Sequence, residues 1–397
     1  MSITKEAYEA LEFVVGSDFI TRDPAICEAY TRRGFDKETG LGEFLSKTPE
    51  CIILPGSTRE VQEIVKICNR YKIPFVPAGS YWMIHCQPKF PGCVLLDMKR
   101  MDELVIDEKN MYAIVGPGLI YSPLQEKAMR AGLYTVVPGG GSQAAVIPNI
   151  LHWGLSPLGY RVGWANRRIL GAEWVLPNGE LLRLGSLSMG DNPFWGEGAG
   201  PDLRGLLRGW VGWNGGLGIV TRMATKLVPF QPERLKPAGI SPNTALDLPS
   251  NRVKWYNYRL SSHDDLVKAM YEIGRAGIAA GITRVPIMWR YIAKAKSREQ
   301  FWEGWKEKGK EEEVKNTHIL RILLIGYTSE DQLKYEERVM DDIMSELGAQ
   351  QLRTRDTDAS WFKNTDAVSM WFMTGGFCSV IGLVETISCA VKARENF

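Results

Sequence analysis

Residues 138–154, PGGGSQAAVIPNILHWG, carry the residue types in this chain that are best suited to hold a bulky anion. Pro138 is followed by three successive glycines and a serine, the residues Gly139, Gly140, Gly141 and Ser142. Without a Cβ the backbone can approach a ligand closely, and its amide N–H groups can point at phosphate oxygens. A glycine-rich turn between two strands is the alternative interpretation of the same residues.

A second candidate for anion contact follows residues 51–76, which alternate a short β-like run, a helical pattern and another β-like run. Ser57 and Glu60 have the spacing of a capping box, and the apolar positions that follow fall on one helical face. This pattern predicts a βαβ unit. The turn after its second strand, Pro77-Ala78-Gly79-Ser80, is therefore a candidate for cofactor contact.

Metal chemistry is not indicated by the cysteines. They are scattered and form no CxxC pair; the seven are Cys27, Cys51, Cys68, Cys86, Cys93, Cys378 and Cys389. Zinc or an iron–sulfur cluster held by this chain alone is therefore disfavoured, and we predict no metal site. Most of these thiols are expected to be small buried hydrophobic groups.

Composition describes an ordinary globular protein with room for two or three domains: 397 residues, 45% hydrophobic and 24% charged. A formal net charge of +2 gives no reason to expect nucleic acid or an anionic membrane surface as partner. Lys5, Glu6 and Glu9 interrupt the start where a secretory signal needs an apolar core, which predicts a cytoplasmic location. The apolar residues 375–390 include Glu385 and are too short to predict a membrane span.

Other elements must support the two turns. Strands are predicted around 94–97 and 112–115, then a helix with Ser122 as N-cap, Gln125 closing the capping box and Gly132 past its end. The turn Pro177-Asn178-Gly179 predicts a hairpin. The glycine-rich residues 196–218 predict a loop that must approach something closely.

Composition changes after Pro229, where a proline-rich connector leads into two strand–helix repeats. Ser261 or Ser262 opens the first of these helices, and Ser329 with Gln332 opens the second, which stops at Gly348. Two such repeats predict an antiparallel sheet backed by helices. We therefore predict one domain over residues 1–229 and a second over residues 230–397.

This order of elements resembles the FAD-binding domain of the vanillyl-alcohol oxidase and p-cresol methylhydroxylase superfamily. The resemblance covers roughly residues 48–229 and rests on residues 55–75, PGSTREVQEIVKICNRYKIPF, on AIVGPG at 113–118, on EWVLPNGELLRLG at 173–185 and on GGLGIVT at 215–221. It implies an α+β fold in which a two-subdomain FAD-binding domain is followed by an antiparallel α+β cap domain. Pro88 before PGCVLLDM, together with WGEGAGPDLRGLL, looks more like the 4-alkylphenol-oxidising branch than like the glycolate and D-lactate dehydrogenases.

The resemblance also implies which residues hold FAD. Those expected around the pyrophosphate and on its far side are Pro77, Ala78, Gly79, Ser80, Tyr81, Trp82, Pro138, Gly139, Gly140, Gly141, Ser142, Pro148 and Asn149. The strip from Asn149 to Gly154 is expected beneath the flavin ring, and Gly218, Ile219 and Val220 at the adenine end.

The chain departs from the family's pattern at two places. Its first phosphate turn is crowded by Tyr81 and Trp82, and Trp82 stands where a covalently attached flavin would have its histidine. We therefore expect noncovalent FAD, with a bond to His85 as the alternative. His152 occupies the position that carries an acidic side chain in the phenol-oxidising branch, so its imidazole is predicted to accept a substrate proton. A hydrogen-bonded core histidine is the alternative.

The second half offers only compositional candidates for substrate contact, namely Trp289, Arg290 and Trp371. Their alternative role is cap core. Family members commonly run on past the cap, whereas this sequence stops at Phe397, so we expect a partner subunit or an oligomer to complete the site.

The resemblance implies an FAD-dependent oxidoreductase that takes a hydride from an alcohol, a benzylic or alkylphenol carbon, or a similar small substrate, and passes electrons to a protein acceptor. One alternative is the FAD subunit of a glycolate- or D-lactate-type 2-hydroxy-acid dehydrogenase. A second is an electron-relaying or structural flavin subunit without its own substrate.

Overall fold

A computed structural model gives the fold. It describes residues 3–31, 47–81, 87–135, 144–152, 154, 159–185, 203–209, 212, 215–230, 237–238, 245–246, 251–283, 291, 298–315 and 318–353. Within those ranges no helix combines the length and the apolar composition that crossing a membrane requires.

The chain packs as two compact units. The first contains residues 1–124, 143–154 and 165–227, and the second contains 125–142, 155–164 and 228–397. Two stretches that precede residue 229 thus pack with the second unit. The division into domains at residues 1–229 and 230–397 stays a prediction.

The first sheet of the first unit contains the predicted βαβ unit. Its strands are β1 (Ile20–Thr21), β2 (Cys51–Ile53), β3 (Phe75–Ala78) and β4 (Val94–Asp97), in the order β1-β2-β4-β3. Strands β2 and β3 both pair parallel with β4, and the helix Thr58–Tyr71 connects them.

The capping box that opens this helix is confirmed. The backbone N–H of Glu60 donates to Ser57 Oγ at 3.2 Å, and the Glu60 carboxylate accepts from Gly56 N at 2.8 Å. The first bond satisfies a donor that the first helical turn leaves without an intrahelical partner, and the second fixes the residue before the N-cap against the same turn. The helix start was therefore predictable from two residues three positions apart, Ser57 and Glu60.

A five-stranded antiparallel sheet completes the first unit. Its strands are β5 (Leu104–Asp107), β6 (Tyr112–Val115), β8 (Ile169–Val175), β9 (Leu181–Gly185) and β10 (Ile219–Lys226), in the order β5-β6-β10-β8-β9. The predicted hairpin joins β8 to β9, and Gly179 in its turn has a φ of 86°.

The helix predicted from Ser122 begins instead at Tyr121 and runs to Arg130, so the predicted N-cap is wrong. Its start is set by a tertiary contact, because Tyr121 N donates to Ala144 O at 3.1 Å. Gln125 does not close a capping box, since its side chain accepts a hydrogen bond from Thr135 N at 3.0 Å. The predicted end holds, with Gly132 at a φ of 74°.

The second unit contains the predicted antiparallel sheet. Its strands are β14 (Val253–Arg259), β15 (Gly281–Thr283), β16 (Ile319–Ile325) and β17 (Gln350–Leu352), in the order β15-β16-β14-β17. Short pairs join β7 (Leu133–Tyr134) to β11 (Val228–Pro229) and β12 (Pro237–Ala238) to β13 (Ala245–Leu246). Strand β17 was not predicted.

Two helices, His263–Ala276 and Glu330–Glu346, pack against the apolar core of that sheet. Ser262 and Ser329 are their N-caps. Both caps had been predicted, the first as one of two neighbouring serines. Shorter helical segments lie at Lys5–Val15, Pro24–Ala29, Val146–His152, Gly159–Val162, Arg204–Leu207, Arg298–Gly304 and Lys310–Lys315, with a π-helix at Trp305–Gly309.

Three buried thiols of the first unit make its stability depend on pH. Burial raises the pKa of Cys51, Cys68 and Cys93 to about 12 each, from 9.0. Between those values the unfolded chain releases thiol protons that the folded chain keeps. The free energy of unfolding should therefore fall as pH rises above 9, by about 1.4 kcal/mol per thiol per pH unit.

Urea unfolding between pH 8 and 11 measures this slope. Cys68→Ala should remove one thiol's share of the slope, whereas Val65→Ala on the same buried helix face should lower stability but leave the slope intact. Equal slopes in the two variants would contradict the assignment.

Candidate cofactor site

The predicted turn Pro77-Ala78-Gly79-Ser80, the first turn, lies at the carboxyl ends of two parallel strands. Strand β3 ends at Ala78, which pairs with Asp97 at the end of β4, and Gly79, Ser80 and Tyr81 follow. Ligands of open parallel sheets bind outside such strand ends. Trp82, also predicted to contact the cofactor, lies outside the described residues, as do His85 and Cys86.

This first turn directly contacts Ala145, which belongs to the other segment that is predicted to bind an anion. Ala145 N donates to Ser80 Oγ at 2.9 Å. A Cβ added to Gly79 would lie 2.7 Å from Ala145 Cβ and 3.2 Å from Pro148 Cγ. Residues that are separated by some 65 positions in the sequence thus form one continuous wall, with Gly79 at its tightest contact. The glycines of the predicted cradle, Pro138 to Ser142, lie outside the described residues.

Tyr81, a bulky departure from the family's glycine-rich turn, has a left-handed backbone with a φ of 58°. Its ring packs edge-on against Tyr30, with 5.5 Å between ring centroids, in a small apolar cluster that includes Ala78. The side chain therefore takes a place in the core while its backbone adopts the conformation that glycine adopts readily. Strained residues of this kind concentrate at functional sites.

The helix Val146–His152 presents the segment expected beneath the flavin. Tyr121 is fully buried and donates its hydroxyl to Asn149 Oδ1 at 2.9 Å. Burial raises the pKa of Tyr121, and the Arg168 guanidinium opposes this rise. Neither Tyr121 nor Arg168 was singled out from the sequence, because 28 residues separate Tyr121 from the asparagine it orients.

The end of this helix is fixed by two backbone hydrogen bonds. Gly154 N donates to Asn149 O at 2.8 Å, and Ala165 N donates to Gly154 O at 3.0 Å. Gly154 has a φ of 64°, and an added Cβ would lie 2.7 Å from Ala165 Cβ. His152 is half-buried at the helix end, and its Nε2 is shielded from solvent.

The glycine-rich loop contacts the same helix end through its backbone. Gly209 N donates to Leu151 O at 2.7 Å, next to His152. The preceding residue, Arg208, has a buried Nε with no hydrogen-bond acceptor among the residues that the structure describes. Sequence reasoning recognised the loop as one of close approach but did not single out this arginine.

The predicted adenine-end residues begin strand β10. Ile219 pairs with Val175 and Val220 with Trp174. Gly218 has a φ of 116°, and an added Cβ would clash with Val175 O. Nearby Gly215 faces the first turn, since an added Cβ would lie 2.8 Å from Pro77 Cγ.

The described residues suit a dinucleotide cofactor. A turn at parallel strand ends offers backbone N–H groups for phosphate oxygens, and the half-buried Arg208 has a buried Nε with no acceptor among the described residues. None of the described part brings together three or more His, Cys, Asp or Glu side chains that could hold a metal. The predicted substrate residues Trp289, Arg290 and Trp371 lie outside the described ranges.

We expect Tyr121→Phe to lower the free energy of unfolding by about 1–2 kcal/mol, because Asn149 Oδ1 would lose its donor in a partly buried hydrogen bond. The dissociation constant of the cofactor should rise as well, since Asn149 is a predicted contact. Urea unfolding and cofactor titration measure the two effects. Tyr271→Phe removes a hydroxyl from a 64% exposed side chain and is the control; equal losses in both variants would contradict the role.

Comparison with known proteins defines the class of cofactor. Residues 49–185 match the family model described as FAD binding domain. This range contains the first turn, the helix Val146–His152 and the hairpin between β8 and β9. The chain therefore contains an FAD-binding domain, and FAD is its cofactor.

Two curated relatives come from different branches. The glycolate oxidase subunit GlcD of Bacillus subtilis is 34% identical over 192 residues, which are 47% of this chain and 38% of the relative. The 4-cresol dehydrogenase [hydroxylating] flavoprotein subunit of Pseudomonas putida is 28% identical over 199 residues, 48% of this chain and 37% of the relative. The matched part thus spans less than two fifths of either relative, and these identities do not establish the predicted closeness to the alkylphenol branch.

The fold extends further than the sequence matches. The structure of p-cresol methylhydroxylase with substrate bound superimposes with a TM-score of 0.71 at 18% identity, covering 94% of this chain and 72% of that one. The predicted α+β fold of the p-cresol methylhydroxylase type is thereby confirmed.

Proposed function

We propose that the protein is an FAD-linked oxidoreductase that oxidises a small alcohol or a benzylic or alkylphenol carbon. The proposal is carried by one observation. The turn at the ends of β3 and β4 and the helix that ends at His152 are joined through Ser80 and Ala145, within the range that matches the FAD-binding domain.

FAD supplies the two-electron acceptor for a hydride. The protein's residues would position it and manage the proton. In this proposal Ser80, Asn149 and the backbone around them hold the cofactor, and His152 accepts the hydroxyl proton that the substrate gives up as its hydride leaves. FAD is held without a covalent bond, because Trp82 replaces the expected histidine.

A 2-hydroxy acid is the second candidate substrate, and a specific observation favours it. Its carboxylate needs a cation, and Arg208 has a buried Nε with no acceptor among the described residues and directly precedes Gly209, whose N–H donates to Leu151 O next to His152. If this candidate is right, Arg208→Met should raise KM for the acid far more than it lowers kcat. Arg290, Trp289 and Trp371 stay proposals for substrate contact.

We further propose that the electrons pass to a protein acceptor or partner subunit. Support comes from a relative that is itself named as a flavoprotein subunit. Such a partner would bring any metal centre with it. The cytoplasmic location and the oligomeric assembly remain predictions.

Anaerobic bleaching of the flavin band at about 450 nm tests the function. The purified yellow protein is mixed in turn with 4-alkylphenols, simple alcohols and 2-hydroxy acids, and then with dithionite. Bleaching by a phenol or an alcohol supports the first proposal, and bleaching by 2-hydroxy acids alone supports the second. Bleaching by dithionite alone would contradict both and favour an electron-relaying subunit.

A further inference from the structure

The second unit contains a cavity of about 500 Å³ that lies wholly within that unit. It is bounded by the end of the helix His263–Ala276, the start of the helix Glu330–Glu346 and the residues Arg161 and Val228. A volume of this size is typical of small-molecule sites. None of the residues predicted from the sequence to bind cofactor or substrate lines it.

Glu336, one of the residues that line this cavity, has a buried carboxylate of which only one oxygen accepts hydrogen bonds. The side chain of Glu336 is only 3% exposed. Its Oε1 accepts from the Arg161 guanidinium and, at 2.8 Å, from Gln332 Nε2. Its Oε2 is buried and receives no hydrogen bond from any residue that the structure describes.

A buried carboxylate oxygen that accepts no hydrogen bond lowers the stability of the folded protein, and native structures contain few such atoms. The neighbouring hydroxyl of Tyr327 lies 2.8 Å from the hydroxyl of Tyr134 and forms a hydrogen bond with it, and no hydrogen bond joins it to Glu336 Oε2. The Tyr134 and Tyr327 rings stack at 5.9 Å, which fixes this wall in place. The free acceptor therefore points to a donor that enters from the cavity.

The chemistry of the walls restricts the ligand. Arg161 and Glu336 carry opposite charges and neutralise each other, so the pair leaves no net charge to attract an ion. The Arg161 guanidinium also lies 5.3 Å from the centre of the Tyr327 ring. Val228 and the buried Ile278 contribute apolar surface. A neutral molecule with an apolar body matches these walls better than an anion or a cation.

We propose that this cavity binds a small neutral molecule with an apolar ring or chain and one hydroxyl group, which donates to Glu336 Oε2. The proposal does not rest on the function proposed above, because none of the residues that line the cavity is assigned a role in that function.

Fluorine NMR on the FAD-loaded protein tests this, with 2-(4-fluorophenyl)propan-2-ol as the probe and 1-tert-butyl-4-fluorobenzene as the probe without a hydroxyl. The probe is a tertiary alcohol, so its carbinol carbon has no hydrogen that a flavin could take as hydride. The alcohol should bind saturably with a Kd of about 1 mM, the range that so small a ligand can reach. It should bind at least fivefold more tightly than the probe without a hydroxyl.

Two variants assign the binding to the cavity. Ala276→Trp places a large ring in the cavity wall from an exposed helix end and should abolish binding. Lys268→Trp, on an exposed position of the same helix outside the cavity, is its matched control and should bind normally. Glu336→Gln should weaken binding of the alcohol about tenfold, because it removes the charged acceptor.

Three outcomes would overturn the proposal. They are equal binding of the two probes, unchanged binding in Ala276→Trp, and no saturable binding. The last would mean that trapped water serves Glu336 Oε2. Should Glu336→Gln fail to fold, the Ala276→Trp and Lys268→Trp pair still decides.

Discussion

Replacing His152 by alanine is expected to slow flavin reduction by an identified substrate by a factor of about 100 or more, the usual contribution of a positioned general base. The imidazole lies at the end of the helix Val146–His152, three residues beyond Asn149 and with Nε2 shielded from solvent. A proton acceptor in such a place cannot be replaced by bulk water. Anaerobic stopped-flow measurement of the bleaching rate gives the effect directly.

His263→Ala is the matched control, since it removes a histidine at the start of the helix His263–Ala276. It should leave the rate unchanged. A merely structural role for His152 would lower thermal stability and FAD content, whereas a base that is lost should leave both intact and allow partial rescue by added imidazole. A rate within about threefold of wild type, or less than ~0.7 kcal/mol of barrier, would rule out the catalytic role.

Local signals in the sequence predicted the elements of this fold well. The capping boxes at Ser57 and Ser329 form as predicted, because each depends on side-chain and backbone groups only three or four positions apart. The hairpin at Gly179 depends on a two-residue turn preference of the same short range. Elements whose boundaries are set by neighbours in sequence could therefore be assigned without a structure.

Contacts that are distant in sequence could not be predicted in this way. The helix Tyr121–Arg130 begins one residue earlier than the N-cap pattern at Ser122 indicates, because a backbone contact to Ala144 sets its start. Residues 125–142 and 155–164 pack with the second unit although they precede residue 229. No local pattern reports which core a segment joins.

In the candidate site, too, local features could be predicted from the sequence and contacts between distant residues could not. Residue types predicted a phosphate-binding turn at Gly79 and Ser80, but only the structure reveals the partner, Ala145. Tyr121 and Arg208 escaped notice because nothing near them in the sequence indicates that Tyr121 contacts Asn149 or that the residue after Arg208 contacts Leu151. Local motifs also could not identify the branch of the family, since relatives from two branches match the same domain.

Glycine illustrates why residue type alone is ambiguous. Gly79, Gly154 and Gly218 were predicted to admit a cofactor, and at each of them an added Cβ would strike other parts of the protein. Absence of a side chain lets backbone approach backbone as readily as it lets backbone approach phosphate. The structure thus gives these glycines a packing reason, and their contact with FAD stays a prediction.

Gly79→Ala is expected to have the second large effect, on retention of FAD. The new Cβ would lie 2.7 Å from Ala145 Cβ and 2.9 Å from Pro117 O, so the first turn and the helix Val146–His152 must separate. Overpacking of this kind costs about 1–3 kcal/mol of folding stability. Because the same two segments form the wall on which the cofactor is proposed to lie, its affinity should fall by at least tenfold.

Gly205→Ala provides the control, because an added Cβ there meets nothing within 4 Å. Its FAD content and melting temperature should match those of wild type. The flavin that Gly79→Ala loses should be recovered as free FAD on gel filtration, and acid precipitation of wild type should likewise leave the flavin in the supernatant if no covalent bond holds it. A Gly79→Ala protein that is less stable yet binds FAD with wild-type affinity would contradict the placement of the cofactor on this wall. Gly79 would then have a packing role only, because a shift of the wall would not have changed FAD binding.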